Sequence, residues 1–395
     1  MIKIIFTFLS LATLLISSND IKTPKLEIIA QWDFLKYDIK DEKIRNRWEQ
    51  SKIYNQALIQ GIKLDANENI YATTARWKGK DIPATLSKIK NVNDEKILVP
   101  YPSEAFNDIS NPKGIKSVLG FEIDENNVMW ILDQGHIAGQ PTKFGDEKLV
   151  LWDIDKNKEL QRYNFSDKET NRECSFLNDI VVDNNSGFAY ITDSGVFCKP
   201  LEGGLLVYDK KNNKSRRVLS GTKFTNNEKD FFFNVNSKPA SMITGADGIA
   251  LTGDRKTLYW TNLTGNILYS IPTIILRDFS VSEAEIQASV EIVNILPSNT
   301  DGMTSDSENN LYMTGLSING VMYRDAKTHK VSRLLYNPEM IWPDTFSWGQ
   351  NGDLYMISNN INSYLDGTMD FKNPNKSNFI IWRFRVNKKS YLHQK

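Results

Sequence analysis

Histidine and cysteine are scarce in this chain of 395 residues: three histidines and two cysteines. Three histidines, at 136, 329 and 393, are too few and too scattered for a histidine-based zinc site. No Gly-x-Ser-x-Gly nucleophile elbow occurs, so a Ser-His-Asp hydrolase of that kind is excluded. The Cys-x-x-Cys spacing of redox and zinc motifs is absent as well. Charge of one sign is also missing. Lysine plus arginine equal aspartate plus glutamate at 48 each, which argues against nucleic acid or an anionic membrane as the partner. The densest basic stretch, Lys210, Lys211, Lys214, Arg216 and Arg217, lies between two apolar segments and reads as a solvated hairpin. Past residue 16 no apolar run approaches the 18 residues of a membrane-spanning helix.

The N-terminus has its own pattern. Met1-Ile2-Lys3 is a short positive start, Ile4 to Ile16 is apolar apart from Thr7, Ser10 and Thr13, and Ser17 and Ser18 follow. This is the layout of a secretory signal peptide, expected over residues 1–18 with cleavage near Ser17 or Ser18. The expected mature protein, residues 19–395, is a single soluble domain, a monomer exported to the extracellular space or, in a bacterium, to the periplasm. In an exported chain the lone pair Cys174 and Cys198 is expected to form a disulfide, which in the chain-entropy model stabilises by about 3–4 kcal/mol. Asn-x-Ser/Thr sequons at Asn164, Asn184, Asn213, Asn262 and Asn375 say little in so asparagine-rich a chain.

What the chain does have is a repeat. A small or acidic residue leads a hydrophobic stretch, a polar turn and an aliphatic–aromatic pair, six times over: Gly61–Asp65 to Tyr71, Gly120–Asp124 to Trp130, Asp179–Asp183 to Tyr190, Asp247–Leu251 to Tyr259, Asp301–Ser305 to Tyr312 and Asp344–Trp348 to Tyr355. The aromatics are 59, 60, 69, 53 and 43 residues apart. Strand–turn–strand units at such a period predict a radial array of small sheets. Further strands follow each pair, as in Lys148–Asp153 with Glu159–Tyr163, joined by turns such as Asp155-Lys-Asn-Lys whose short polar side chains tolerate left-handed backbone. The fold class expected is therefore all-β, a six-bladed β-propeller of four-stranded antiparallel blades. Leu26–Trp32 and Asn378–Val386 are strand-like and are expected to share a blade, pairing the two ends of the chain and leaving no exposed edge. Residues 33–60 are expected to decorate one face, and Pro272–Pro297 to be an insertion with a short helix.

Four carboxylates, Asp179, Asp247, Asp301 and Asp344, lead successive repeats, and blade geometry would bring them to one mouth of the central channel. Converging carboxylates need a cation, a metal, backbone amides or shared protons. Phe176, Asn178, Asn262, Thr314, Phe346 and Asn359 lie near them in sequence and are candidate pocket residues. An acidic pocket with aromatic walls suits an arylalkyl amine. Asn178, Asp179, Asp247 and Asp301 form the alternative set, holding a divalent cation such as Ca²⁺; no cofactor is otherwise implied. His136 is the one histidine placed to act as an acid or base at the mouth. The recurring tyrosines read as packing between blades.

Longer segments resemble the major royal jelly protein/Yellow family: Arg76-Trp77-Lys78 with Ile82-Pro83-Ala84-Thr85-Leu86, Gly245–Leu251 with Leu258-Tyr259, and Trp342–Phe346 with Asp353–Ser358. The likeness runs in order over residues 25–388. It implies a secreted six-bladed propeller, in a family associated with pigment and cuticle chemistry, nutrition and the capture of small amines. A more distant similarity is to gluconolactonase/regucalcin propellers, whose axial Asn-Asp and Asp-Gly pairs surround a divalent metal; Asn178-Asp179, Asp247-Gly248 and Asp301-Gly302 match in form, whereas the places aligned with Asp179 in the first two repeats hold Gln60 and Leu119. The resemblance thus implies a small-molecule-binding propeller. The alternatives are a metal-assisted lactonase or a dopachrome-tautomerase-like isomerase, or a structural or storage protein without a site.

Overall fold

The computed structural model describes residues 23–50, 53–240, 242–373 and 375–392. The expected signal peptide and His393 lie outside these residues. Six four-stranded antiparallel sheets follow one another along the chain. Blade 1 runs Ile62–Leu64, Ile70–Thr73, Leu86–Val92 and Glu95–Pro100, and blade 2 runs Val118–Ile123, Val128–Asp133, Lys148–Asp153 and Lys158–Asn164. Blade 3 is Leu177–Asp183, Phe188–Asp193, Gly204–Asp209 and Lys214–Val218; blade 4 is Ala246–Leu251, Thr257–Asn262, Ile267–Pro272 and Glu291–Ile295. Met303–Ser305, Leu311–Gly315, Gly320–Arg324 and Val331–Tyr336 make blade 5. Blade 6 combines Pro343–Trp348, Asp353–Ser358 and Phe379–Arg385 with Leu26–Trp32 from the other end of the chain, in a register that sets Leu26 opposite Phe384 and Trp32 opposite Phe379. The first strand of each blade meets the first strands of its neighbours, and blade 6 meets blade 1, so the ring is closed around an axis.

The repeated sequence pattern has a structural reason at each end of the inner hairpin. At the turn, Asp65 accepts the backbone N–H of Asn67 and Asn69 at 2.9 and 2.8 Å, and the Tyr71 hydroxyl at 3.1 Å. Asp306 does the same with Glu308, Asn310 and Tyr312, and Asp124 with Asn126, Val128 and the Trp130 indole. In blades 1, 2 and 5 the repeat's aromatic therefore both packs between blades, as expected, and latches the turn that precedes it. At the axis, the residue after the channel-facing one is glycine in four blades, because the next blade's backbone leaves no room for a side chain. A Cβ on Gly120 would lie 2.2 Å from the Asn178 carbonyl oxygen, on Gly248 2.0 Å from that of Asp301, and on Gly302 2.0 Å from that of Asp344. The polar outer turns take the expected left-handed residues, Asn157 at φ 49° and Asn213 at φ 47°.

Connections build the two ends of the channel. On one face, the helix Glu42–Gln50, the hairpin Phe233–Val235/Lys238–Ala240 and the helix Ile361–Leu365 gather over the mouth, and Trp48, Phe233, Ile361 and Tyr364 share one buried cluster. At the other face the chain's last described residues cross the axis. The Lys389 carbonyl accepts from Ser307 N–H at 2.8 Å, Tyr391 N–H donates to the Ser305 carbonyl at 3.3 Å, and Tyr391 and Leu392 pack with Val181, Ile249 and Leu251. The Pro272–Pro297 segment departs from expectation. It carries two short helices, Thr273–Arg277 and Glu283–Ala288, and also the outer strand of blade 4. Its strand is largely exposed and shows no alternation of buried and exposed side chains. Cys174 and Cys198 are disulfide-bonded across a separation of 24 residues, with Cα atoms 4.5 Å apart, as expected.

Because Gly248 faces backbone rather than a movable side chain, Gly248→Ala is expected to destabilise the protein by about 3 kcal/mol or more, against about 1 kcal/mol for the spatially open Gly139→Ala. Thermal or urea unfolding of the two variants checks this.

Candidate functional site

Each blade contributes one residue to the floor of a cavity of about 290 Å³ on the axis: Gln60, Leu119, Asn178, Asp247, Asp301 and Asp344. Strand register explains how they reach it. The inner strands of blades 2, 3, 4 and 6 are bulged at their start, between Val118 and Phe121, Leu177 and Ile180, Ala246 and Ile249, and Pro343 and Phe346. A bulge re-aims a side chain that a regular pleat would send into the blade face. This register also corrects the alignment of repeats made from sequence. Thr192 Oγ1 accepts from Asp179 N–H at 3.1 Å and donates to the Asp247 carbonyl at 2.7 Å; Thr73 Oγ1 likewise accepts from Gly61 N–H at 2.9 Å and donates to the Leu119 carbonyl at 2.7 Å. Asp179 thus occupies the position of the axial glycines, and Asn178 is the counterpart of Asp247, Asp301 and Asp344. The carboxylates on the floor number three, with Asp179 beside them outside the lining.

The three are held differently. Asp301 Oδ2 accepts the Trp342 indole N–H at 2.6 Å, and Asp344 receives Asn359 Nδ2 at 2.6 Å and the Thr345 hydroxyl at 2.9 Å. Asp247 is only 3% exposed, and its carboxyl shares a hydrogen bond with that of Asp301. Burial is the main force on all of them. It pushes Asp301 up to about 6, and raises Asp247 and Asp344 well above the usual carboxylate range with a further push from the charge of Asp301. Asp179 is likewise pushed up to about 6 by burial, opposed by the Lys63 ammonium and by Ile180 N–H. Beneath the floor, Lys63 pairs with Glu122 at 3.1 Å, joining the inner strands of blades 1 and 2. The floor carboxyls therefore hold their protons to a higher pH than ordinary carboxyls do, and an arriving cation would favour their release.

The walls are mostly apolar. Trp77, Phe176 and Phe197 form a continuous aromatic side, with ring centroids 5.3 Å apart for the first pair and 5.6 Å for the second. Trp342, Ile361, Tyr364 and Leu365 face them, and Met242 and Leu263 complete the enclosure. Arg76 makes the first wall possible. It is 1% exposed and anchors the loop through the carbonyls of Asn107 at 2.8 Å and Ile82 at 3.1 Å, so that Trp77 and Lys78, next in the chain, turn inward. The Lys78 ammonium hydrogen-bonds the Tyr364 carbonyl and stands 4.0 Å above that tyrosine's ring. The indole N–H of Trp77 and Nε2 of Gln60 are buried without a partner, two donors left for a ligand.

Of the residues singled out from sequence, the structure brings Phe176, Asn178, Asp247, Asp301 and Asp344 into the cavity. Asn262, Thr314, Phe346 and Asn359 do not line it. Asn359 and Thr314 orient the floor from behind, the latter accepting Asp301 N–H at 2.9 Å; Asn262 donates to the Asn226 carbonyl at 2.6 Å; Phe346 packs between blades 5 and 6. His136 lies behind the aromatic wall, its ring 5.4 Å from Phe197, with Nε2 on the Ser175 carbonyl and Nδ1 on the Thr142 hydroxyl. Burial lowers its pKa, and with both ring nitrogens engaged it braces the wall from outside the cavity lining. The alternative of a divalent metal on Asn178, Asp179, Asp247 and Asp301 does not fit. Asp179 is off the lining and Trp342 occupies one Asp301 oxygen. Among the described residues no three acidic, histidine or cysteine side chains converge as metal ligands. Gln60, Trp77, Lys78, Trp342 and Tyr364 were not singled out. Trp77 and Trp342 stand inside the family-like segments, which was the available signal.

A carboxyl whose folded pKa is raised binds more protons folded than unfolded between its ordinary 3.8 and its folded value. The stability it contributes is fullest at the acidic end of that window and falls as pH rises through about 6. Asp247→Asn removes one such buried charge. It is expected to raise stability relative to the unsubstituted protein more at pH 8 than at pH 4; melting curves at the two pH values check this.

Comparison with known proteins agrees with this architecture. Solved structures with the same fold include a luciferin-regenerating enzyme (TM-score 0.51, 13% identity, covering 93% of this chain and 97% of that one) and a Xanthomonas campestris gluconolactonase (TM-score 0.51, 11% identity, covering 92% and 89%). A third, Agrobacterium tumefaciens regucalcin, described as calcium-binding, has a TM-score of 0.51 at 12% identity and covers 84% and 91%. At these identities the likeness is one of fold alone. Among sequences, Apis mellifera major royal jelly protein 9 is 25% identical over 297 residues, 70% of this chain and 66% of its own length, and major royal jelly protein 8 is 25% identical over 263 residues, 64% and 61%. The chain thus spans a little under two thirds of these relatives. The family model described as major royal jelly protein matches residues 116–391, which take in blades 2 to 5 and three of the four strands of blade 6, and the chain belongs to that family.

Proposed function

We propose that this protein is an exported binding protein for a small organic cation, an amine carrying an aromatic or other apolar body, held in the axial cavity. The observation that carries the reading is the composition of the cavity: three buried carboxyls on the floor beneath aromatic and aliphatic walls. An ammonium group would sit against Asp247 and Asp301, where burial makes an ion pair stronger than in water. Its apolar body would lie between Trp77 and Phe176 on one side and Trp342 and Tyr364 on the other. Gln60 and Trp77 offer N–H donors to a polar substituent. The proposal is one of binding alone. Export rests on the N-terminal pattern and on the disulfide, which suits an oxidising compartment.

Titration calorimetry with serotonin, dopamine or phenethylamine at pH 7.5 tests this. Saturable binding is expected, unchanged by EDTA and at least tenfold weaker in Asp301→Asn. Absence of heat with all three amines, or binding abolished by EDTA, would contradict the reading.

A further inference from the structure

The apolar lining does not end at the mouth. Phe197 and Leu365, which line the cavity, are still 49% and 45% exposed. Two further large apolar side chains are exposed on the connection between blades 3 and 4. Ile243, 63% exposed, lies between the lining residues Met242 and Thr244; Phe232, 86% exposed, precedes Phe233, whose ring packs 6.2 Å from the lining residue Trp342. These residues come from three separate connections, in blade 3, between blades 3 and 4, and in blade 6. Large apolar side chains such as Phe197 and Leu365, left half-exposed in a cavity lining, mark a place where something apolar is covered. The cavity itself, at about 290 Å³, is at the small end of the roughly 300–1,000 Å³ typical of drug-sized sites. The wall also carries one fixed cation, Lys78, tethered to Tyr364.

We propose that the ligand is an amphiphilic monoamine: a single ammonium head on the carboxyl floor and an apolar chain or ring system long enough to leave the cavity and lie across the rim made by Phe197, Phe232, Ile243 and Leu365. This rests on the reading of the floor as an ammonium site. The floor selects the charged head, the walls strip water from the first part of the tail, and the rim takes the remainder. Lys78 sets the other limit. A second positive charge on the tail would meet an ammonium on the wall, so diamines and polyamines are disfavoured.

The test is calorimetry with n-alkylamines from butylamine to decylamine, each below its aggregation threshold, alongside phenethylamine, 1,10-diaminodecane and decanol. Affinity is expected to rise about three- to fourfold per methylene, the ratio that burial of one CH₂ gives, and to keep rising beyond hexylamine. Decanol and the diamine are each expected to bind at least tenfold more weakly than decylamine. The double variant Phe232→Ser, Ile243→Ser, which alters the rim and not the cavity lining, should leave butylamine affinity unchanged and flatten the series from octylamine upward. Binding of phenethylamine with no dependence on length beyond hexylamine overturns the amphiphile proposal and leaves the ammonium floor standing. Decanol binding as tightly as decylamine also overturns it. Failure of every amine to bind removes the ammonium floor itself.

Discussion

Neighbouring blades touch backbone to backbone at the axis, and that contact governs the rest of the molecule. The residue after each channel-facing position meets the carbonyl of the next blade at a distance that excludes a Cβ at Gly120, Gly248 and Gly302. Packing this close turns six separate sheets into one ring. Four inner strands start with a bulge, and these bulges aim Leu119, Asn178, Asp247 and Asp344 into the channel. The site is thus a by-product of ring closure: the geometry that seals the propeller also delivers Gln60, Leu119, Asn178, Asp247, Asp301 and Asp344 to one cavity floor.

Concentrating three carboxyls there is unfavourable in isolation. The protein answers with specific donors: the Trp342 indole for Asp301, Asn359 and Thr345 for Asp344, and a shared hydrogen bond between Asp247 and Asp301. What remains is met by raised proton affinity, caused chiefly by burial. The far end of the channel is closed by the segment through Tyr391 and Leu392, so the carboxyls are reached from the loop-covered mouth. The three sequence segments that resemble the family each end in this cavity. Arg76 braces Trp77 and Lys78, the Gly245–Leu251 stretch supplies Asp247, and Trp342 to Asp344 supplies a donor and an acceptor two residues apart.

Much of this was legible in the sequence because repetition is a strong signal. Six copies of one hairpin pattern, with apolar segments of strand length between asparagine- and aspartate-rich turns, specify a closed radial array and even the pairing of Leu26–Trp32 with Phe379–Arg385. The site was legible to within one residue. Spacing alone aligns Asp179 with Asp247; only the bulge and the Thr192 and Thr73 hydrogen bonds show that Asn178 holds that place. A bulge inserts a residue without changing the hydrophobic alternation on either side, which is why pattern reading missed it. Phe346 was misplaced for a related reason, since it stands two residues beyond Asp344 but on the face that packs between blades. The walls were hidden because loops from distant parts of the chain build them, and no local periodicity records that Trp77 and Tyr364 face one cavity.

The central claim is that buried, protonated carboxyls on the axis exchange their protons for an organic cation. Proton release on binding tests it most directly: titrate the protein with phenethylamine at pH 6.5 in buffers of different ionisation enthalpy, and read the number of protons from the dependence of the observed heat on the buffer. The account predicts a net release of protons per amine bound, declining as pH rises and the floor becomes charged. Binding with no proton release at pH 6.5, or with uptake, would contradict it.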